Sequence, residues 1–564
     1  MMLSIPDRFN AATHFIHPHL LARPDKVAIE CGDQQVTYRE LAARVHRVGN
    51  ALRALGVRIE ERVLLLLLDT PDFAACFFGA IQIGAVAVPV NTLLKPHEYQ
   101  YLLNDSRARV AIVSQALLPQ IEAIPRQQLP FLEHVVVINN TDSQGVIPSE
   151  GERPRREPAL SLSKGTPANS KHPSRSQALQ CLHSYSELIS SQSSELDPAP
   201  THKDDAAFWL YSSGSTGFPK GCVHLQHDMV VTAELYARQI LHITEADRFL
   251  SVAKLFFAYG LGNGLYFPLA VGGTSILLPG SPHPANVFDT IERHRPTLFF
   301  SVPSNYAALL AHTRPGSDFD LSTIRHAVSA GEALPAAIFE RFKARFGVEI
   351  LDAIGSTEAL HMFIANRPGA ARPGASGQLI PGMDARIVDE HGRPVAPGEI
   401  GNLYIKSDAV CSCYWNQHEK TKETIDGHWL RTGDKYRQDA DGYFWYAGRA
   451  DDMLKVSGVW VSPAEIESTL VEHPAVLEAA VVGRKDEDEL VKPAAYVVLR
   501  KGLAPAPELA HELQEYVAAH LASYKRPRWL EFLPELPKTA TGKIQRFKLR
   551  VAHAPSRVPH KPIS

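Results

Sequence analysis

The segment Tyr211-Ser-Ser-Gly-Ser-Thr-Gly-Phe-Pro-Lys-Gly221 carries three glycines, four Ser/Thr hydroxyls and one lysine within eleven residues. Glycine lets the backbone bend and approach a ligand closely. Ser212, Ser213, Ser215 and Thr216 can donate hydrogen bonds, and Lys220 adds a positive charge. Together they describe a nest for phosphate oxygens. The bland reading is a Gly/Ser surface loop. Against it, the loop leaves an apolar strand, Ala206–Leu210, and ends in Pro-Lys-Gly. It is not the Walker pattern, because no hydroxyl residue follows Lys220 and the glycine spacing differs.

Other candidates lie further along. Asp352-Ala-Ile-Gly-Ser-Thr-Glu358 follows a strand, which puts the Glu358 carboxylate at a carboxyl edge of a sheet, where α/β proteins hold ligands. Glu358 could cap a following helix or hold a hard cation such as Mg²⁺. Asp434, on a Thr-Gly-Asp turn, could satisfy its own backbone or accept two ribose hydroxyls. Lys543 follows a Thr-Ala-Thr-Gly turn, where a surface lysine is the ordinary reading and a lysine reaching into a cleft the functional one. Ala253-Lys-Leu-Phe-Phe-Ala-Tyr-Gly-Leu-Gly-Asn263 reads as core packing beside a tight turn.

These residues need a scaffold. Thr37 and Glu40 form a capping box for a helix that runs to Gly56, with Tyr38, Leu41, Ala42, Val45, Val48, Ala51, Leu52 and Leu55 on one stripe. Val63–Leu68, Ala85–Val90, Val110–Val113 and His134–Ile138 are short apolar runs typical of strands buried on both faces. Phe73–Ile83 reads as a helix. Strands alternating with helices predict a layered α/β domain. Pro296–Ser304, Ile324–Gly331 and Val348–Leu351 repeat the strand-to-loop signal. From Ala385 shorter strands dominate, and Arg449–Asp452 looks like a linker. Beyond it, helices at Pro463–Val471 and Pro507–Leu521 alternate with strands at Leu477–Val482, Ala494–Leu499 and Trp529–Leu533, a small α+β unit. The expected division is a multi-layer domain over 1–450 and this small α+β unit over 451–564. Residues 141–178, rich in Pro, Ser, Lys and Arg, read as a solvated insertion.

The 564 residues are too many for one core. A formal net charge of -3 gives no general bias toward nucleic acid or anionic membrane. No apolar run reaches spanning length and no secretory signal opens the chain. The six cysteines are scattered, which favours free thiols in a reducing cytoplasm over a disulfide framework. No histidine cluster has metal-site spacing.

Several separated motifs nevertheless fall in a telling order: Tyr211–Gly221, Gly355-Ser-Thr-Glu358, Gly398-Glu-Ile-Gly-Asn-Leu403, Arg431-Thr-Gly-Asp434, Gly448-Arg449 with Lys455-Val-Ser-Gly458, and Pro537-Lys-Thr-Ala-Thr-Gly-Lys543. With these the chain resembles the acyl-adenylate-forming enzymes, which include acyl- and aryl-CoA synthetases, luciferases and the adenylation domains of peptide synthetases. Its Lys254–Asn263 segment is most similar to benzoate-CoA ligases and their hydroxybenzoate relatives. No aspartate stands near Phe257-Ala258 to hold an amino-acid amine, which weighs against the peptide-synthetase branch.

The resemblance implies an AMP-forming acid–thiol ligase of aromatic degradation, using ATP, Mg²⁺ and coenzyme A on a small aromatic carboxylate, as a monomer or homodimer. It implies that Ser212, Ser215, Thr216 and Lys220 hold the β- and γ-phosphates. Thr357 would contact the α-phosphate and Glu358 would hold Mg²⁺. Asp434, with Arg449, would bind the ribose. Lys543 would bridge carboxylate and α-phosphate, and Asp451 would be the hinge that swings Lys455–Gly458 toward CoA. Where many relatives have an aromatic residue before the Gly-Ser pair, this chain has Ile354, so adenine is expected against apolar surface and the Gly331-Glu332 backbone. The acyl slot is assigned to Ala258, Tyr259, Gly260, Ala330, Gly331, His361 and Ile364, as a flat apolar surface. A substituted benzoate or cyclic acid is the alternative substrate, and a non-catalytic nucleotide-binding protein the remote one.

Overall fold

The computed structural model describes residues 3–139, 182–212, 219–316, 318–450, 452–456, 459–487, 490–538 and 544–551. The expected insertion therefore lies outside the described residues. The chain forms two compact units, one of Pro6–Gly221 with Leu277–His283, the other of Met1–Ile5, Cys222–Ile276 and Pro284–Ser564.

The first unit is built on six parallel strands in the order Ala206–Ser212, Val86–Pro89, Arg62–Leu66, Val110–Ser114, His134–Ile138 and Leu182–Ser184. The apolar runs read from sequence are five of these strands; Leu182–Ser184 is a short, partly exposed one that no such run marks. Helix Tyr38–Ala54 starts where the capping box predicts: Glu40 N–H donates to Thr37 Oγ1 at 3.2 Å and the Thr37 N–H donates back to Glu40 at 2.8 Å. Such a cap is worth about 1 kcal/mol. Its stripe is buried from Tyr38 to Leu52 and packs on helix Pro71–Gln82, where Gly79 lies against Val45 and Val48.

In the second unit, strands Ile350–Gly355, His326–Ser329, Leu298–Ser301, Arg248–Ser251 and Thr274–Leu277 run parallel in that order. Met362–Ala365 and Gln378–Leu379 extend the edge antiparallel. A separate antiparallel sheet joins Asp384–Val388, Gly401–Lys406, Trp429–Gln438 and Phe444–Arg449. The last hundred residues carry their own core: Val461, Ile466, Leu470, Val481, Val497, Leu513 and Val517 are all buried together beneath helices Pro463–Glu472 and Pro507–His520. The chain is thus mixed α/β with a small α+β C-terminal part. Among the described residues no helix is long and apolar enough to cross a membrane.

Two local expectations are corrected. The tight turn read within Ala253–Asn263 is at Lys254–Phe257, where the Phe257 N–H donates to the Lys254 carbonyl at 3.0 Å, but the segment then enters an unexpected helical run, with a π segment at Gly262–Tyr266 between α-helical ends Ala258–Leu261 and Phe267–Val271. A π segment breaks the 3.6-residue period, so no amphipathic stripe marks it. Asp434 does not sit on a turn either; it lies within strand Trp429–Gln438, opposite Arg449.

Candidate active site

The phosphate-type loop leaves strand Ala206–Ser212, and Lys220 opens the next strand, Lys220–Leu225. Ser215 and Thr216 lie outside the described residues, but both ends of the loop are held. Tyr211 Oη donates to Asp105 Oδ2 at 2.7 Å, and Tyr101 Oη donates to the Pro219 carbonyl at 3.1 Å. Tyr101 and Asp105 are four residues apart on helix Pro96–Ser106, hence on one face. Burial pushes the Asp105 carboxyl up, partly offset by the Tyr211 hydroxyl. Neither residue carries a sequence motif; the i, i+4 spacing was the only available signal.

In the second unit, Ile350–Gly355 and Met362–Ala365 are joined by a tight turn that contains Thr357 and Glu358. No helix follows, so Glu358 is not a helix cap. Leu360 takes a left-handed φ of 62°, a strained value for a branched side chain. A Cβ on Gly355 would lie 2.3 Å from the His361 carbonyl oxygen, so only glycine fits where the second strand crosses. The turn is tied to three neighbours. His224 Nε2 donates to the Thr357 carbonyl at 2.8 Å, and His224 Nδ1 lies 2.8 Å from Asp228 Oδ2. The Cys411 N–H donates to the Glu358 carbonyl at 2.7 Å. Tyr414 Oη donates to Glu358 Oε1 at 2.6 Å. Burial, then the Glu358 carboxylate, pushes the Tyr414 phenol pKa up, so it stays a donor.

Glu358 supplies hard oxygens, as Mg²⁺ prefers. Among the described residues no group of three or more His, Cys, Asp or Glu side chains could hold a metal. One carboxylate is what a Mg²⁺ ion bound mainly through water and substrate phosphates requires, so the residues fit.

Asp434 and Arg449 are a pair, Nη1 to Oδ1 at 3.0 Å, and Arg449 also donates to the Thr432 carbonyl at 3.1 Å. Gly433, at φ 75°, leaves room for the guanidinium, 2.8 Å from where a Cβ would stand. The Asp434 N–H is taken by Thr432 Oγ1 at 3.1 Å. Gly331 is exposed at φ 93°. Glu332 Oε1 accepts from the Ile544 N–H at 3.2 Å. Lys543, Gly458 and Asp451 lie outside the described residues.

Around the predicted acyl residues, Ala258, Ala330 and Ile364 are buried, and Ile364 pairs across strands with Ile354. Gly260 is packed on the Lys254 carbonyl, where a Cβ would stand 2.1 Å away. Tyr259 Oη bonds the Ser301 and Val328 carbonyls, both at 3.2 Å. The His361 ring packs on Phe267 at 4.5 Å, Tyr236 at 5.3 Å and Tyr259 at 5.8 Å between centroids. Burial lowers its pKa to about 3. This neighbourhood is less apolar than expected. Both His361 nitrogens, both Asn263 amide atoms, Tyr236 Oη, Ser329 Oγ and Asp352 Oδ1 are buried with no partner in hydrogen-bond geometry. Ser301, Ser329 and Asp352 are register partners on adjacent parallel strands, so they share one face of the sheet. Burial raises the Asp352 carboxyl well above the usual range. A groove of about 320 Å³, lined by Pro284, Ala307, Ala311, His312 and Leu477 among others, contains none of the predicted residues.

Comparison with known proteins agrees with this frame. Residues 19–415 match the model of the AMP-binding enzyme family, and residues 465–543 that of the AMP-binding enzyme C-terminal domain. The chain is 47% identical to a benzoate–CoA ligase of Thauera aromatica, over 98% of this chain and 97% of that one. It is 41% identical to a 4-hydroxybenzoate–CoA/benzoate–CoA ligase of Rhodopseudomonas palustris, over 96% and 94%. Among solved structures, the anthranilate CoA ligase AuaEII in complex with anthranoyl-AMP superposes with a TM-score of 0.87 at 45% identity, over 97% and 98% of the two chains. A benzoate CoA ligase from Burkholderia xenovorans LB400 gives 0.83 at 44% identity, over 96% and 100%. With its family match covering well over half its length, and its motifs in order, this chain belongs to the AMP-binding enzyme family.

Proposed function

We propose that the protein is an ATP-dependent aryl-CoA ligase that activates benzoate, or a close ring-substituted analogue, as aryl-AMP and passes the acyl group to coenzyme A. The observation that carries this reading is near full-length identity of 47% with a benzoate–CoA ligase. The strained, thrice-tied Thr357-Glu358 turn supports it.

A carboxylate is a poor acyl donor because its leaving group would be oxide. In the first half-reaction a carboxylate oxygen attacks the α-phosphorus of ATP, the bond to the pyrophosphate oxygen breaks, and acyl-AMP and pyrophosphate result. In the second, the CoA sulfur attacks the acyl carbon, the carbon–oxygen bond to AMP breaks, and the thiol proton is lost to solvent. Ser212, Ser215, Thr216 and Lys220 hold the departing phosphates, and Thr357 the α-phosphate. Glu358 holds Mg²⁺, which when bound offsets phosphate charge. Gly331 and Glu332 flank the adenine, while Asp434, fixed by Arg449, takes the ribose hydroxyls. Lys543 offsets charge as two anions approach, a preorganised effect that is often worth several kcal/mol. Asp451 is the hinge, at a boundary of 1–450 and 451–564, and Gly458 belongs to the segment that meets CoA. Ala258, Tyr259, Gly260, Ala330, His361 and Ile364 line the acyl slot. The enzyme works in the cytoplasm as a monomer or homodimer.

A ring-substituted acid is the second reading, favoured by the unpartnered polar atoms of Asn263 and His361. A site with such groups discriminates strongly for a substituent that meets them. The test is a panel of benzoate, hydroxybenzoates and aminobenzoates with ATP, Mg²⁺ and CoA, followed by AMP release. Benzoate should give AMP and benzoyl-CoA. No AMP with any acid sinks the ligase reading; AMP with substituted acids but not benzoate replaces the substrate.

A further inference from the structure

We propose that His224, Asp228 and Tyr414 are positioning residues for the Thr357-Glu358 turn, setting it for ATP and Mg²⁺ without themselves touching either. The inference rests on the roles proposed above for Thr357 and Glu358.

His224 and Asp228 are both fully buried, which is costly for ionisable groups unless each is satisfied. Here the pair meets through Asp228 Oδ2 and the ring meets the turn, while Asp228 Oδ1 lies 3.3 Å from His227 Nε2 without a bond in hydrogen-bond geometry. A carbonyl oxygen can only accept, so the 2.8 Å contact to Thr357 requires the proton on His224 Nε2. On the other side of the ring, Asp228 Oδ2 lies 2.8 Å from Nδ1 and also accepts the Leu225 N–H at 3.1 Å. Asp228 thereby holds the plane of the ring and so aims Nε2 at the Thr357 carbonyl. The ring in turn fixes a backbone carbonyl in a turn already strained at Leu360. Tyr414 acts on the side chain instead. Its 2.6 Å bond to Glu358 Oε1 orients the carboxylate, and Cys411, three residues earlier, holds the Glu358 backbone. A turn needed only for folding has no use for a phenol aimed at its half-buried carboxylate. A turn that must present one carboxylate to a cation does.

Three full-length variants, Tyr414→Phe, Asp228→Asn and His224→Gln, test this. Two readouts are needed: calorimetric titration with ATP in MgCl₂, which needs no acid, and steady-state acyl-AMP formation against free Mg²⁺. Tyr414→Phe removes one oxygen and should raise the Mg²⁺ needed for half-maximal ATP binding about tenfold, with its melting temperature close to wild type. Asp228→Asn should lower acyl-AMP formation about tenfold or more in kcat, with a smaller change in the KM for the acid. His224→Gln, which can still donate to the Thr357 carbonyl, should lose less than Asp228→Asn. If Asp228→Asn does not fold, Tyr414→Phe still decides. Unchanged Mg²⁺ and ATP dependence in folded Tyr414→Phe overturns the proposal, and so does an equal loss of every parameter together with a lowered melting temperature. Failure of every acid in the wild type, with Mg²⁺-dependent ATP binding intact, would instead remove the ligase reading.

Discussion

Burial keeps the His361 imidazole neutral, with a pKa lowered from 6.5 to about 3. An unfolded chain takes up that proton near pH 6.5 and the folded one only near 3. Between those values the unfolded state binds more protons, so this residue's contribution is present above pH 6.5 and is lost as pH falls. The slope is at most about 1.4 kcal/mol per pH unit for one proton. Denaturant unfolding at pH 7 and pH 5 should therefore show a loss of stability in the wild type that is smaller in His361→Phe. Equal losses in both would show that another group carries the effect. Sequence alone made His361 a slot residue by resemblance. It could not show an aromatic box on three sides or two unpartnered ring nitrogens, because Tyr236, Tyr259 and Phe267 reach the ring from two distant π-containing segments.

At the level of elements, helix Pro96–Ser106 braces the phosphate-type loop. Tyr101 and Asp105 hold its two ends through one neutral and one charge-assisted hydrogen bond. Each such bond is worth roughly 0.5–3 kcal/mol net. Tyr211→Phe and Tyr101→Phe remove one hydroxyl apiece without changing shape. Each should raise the ATP concentration for half-saturation about fivefold, measured by initial rates of pyrophosphate release, and the double variant should exceed either. No change in ATP dependence would mean that the loop needs no brace. Helix Tyr38–Ala54 was legible in its start and its buried face, since a capping box and a 3.6-residue stripe are local signals, though it ends two residues before the expected Gly56. Most strands were legible because each is a short apolar run. Ala258–Val271 was not, since its π segment has no repeating face, and the residues that fill its turn, such as His361 against Gly262, are remote in sequence.

For the molecule as a whole, the proposed division of labour puts adenylation chemistry on a lysine of the C-terminal part. Ile544, next to Lys543, bonds to Glu332, a proposed nucleotide-side residue. Lys543→Ala should abolish most acyl-AMP formation, while conversion of supplied aryl-AMP to the thioester survives far better. Comparable loss of both steps would contradict a role confined to the first. What the chain's own residues determined is the class of chemistry: the ordered motifs, the α/β alternation and the C-terminal α+β unit are each written locally and survive reading one stretch at a time. Tertiary structure alone decided how the motif residues are held. His224 reaches Thr357 across 133 residues, Tyr414 reaches Glu358 across 56, and Tyr211 reaches Asp105 across 106. Such partners share no local period or spacing. They meet only through the tertiary fold, where burial makes each unsatisfied polar group costly and so selects the partner that satisfies it.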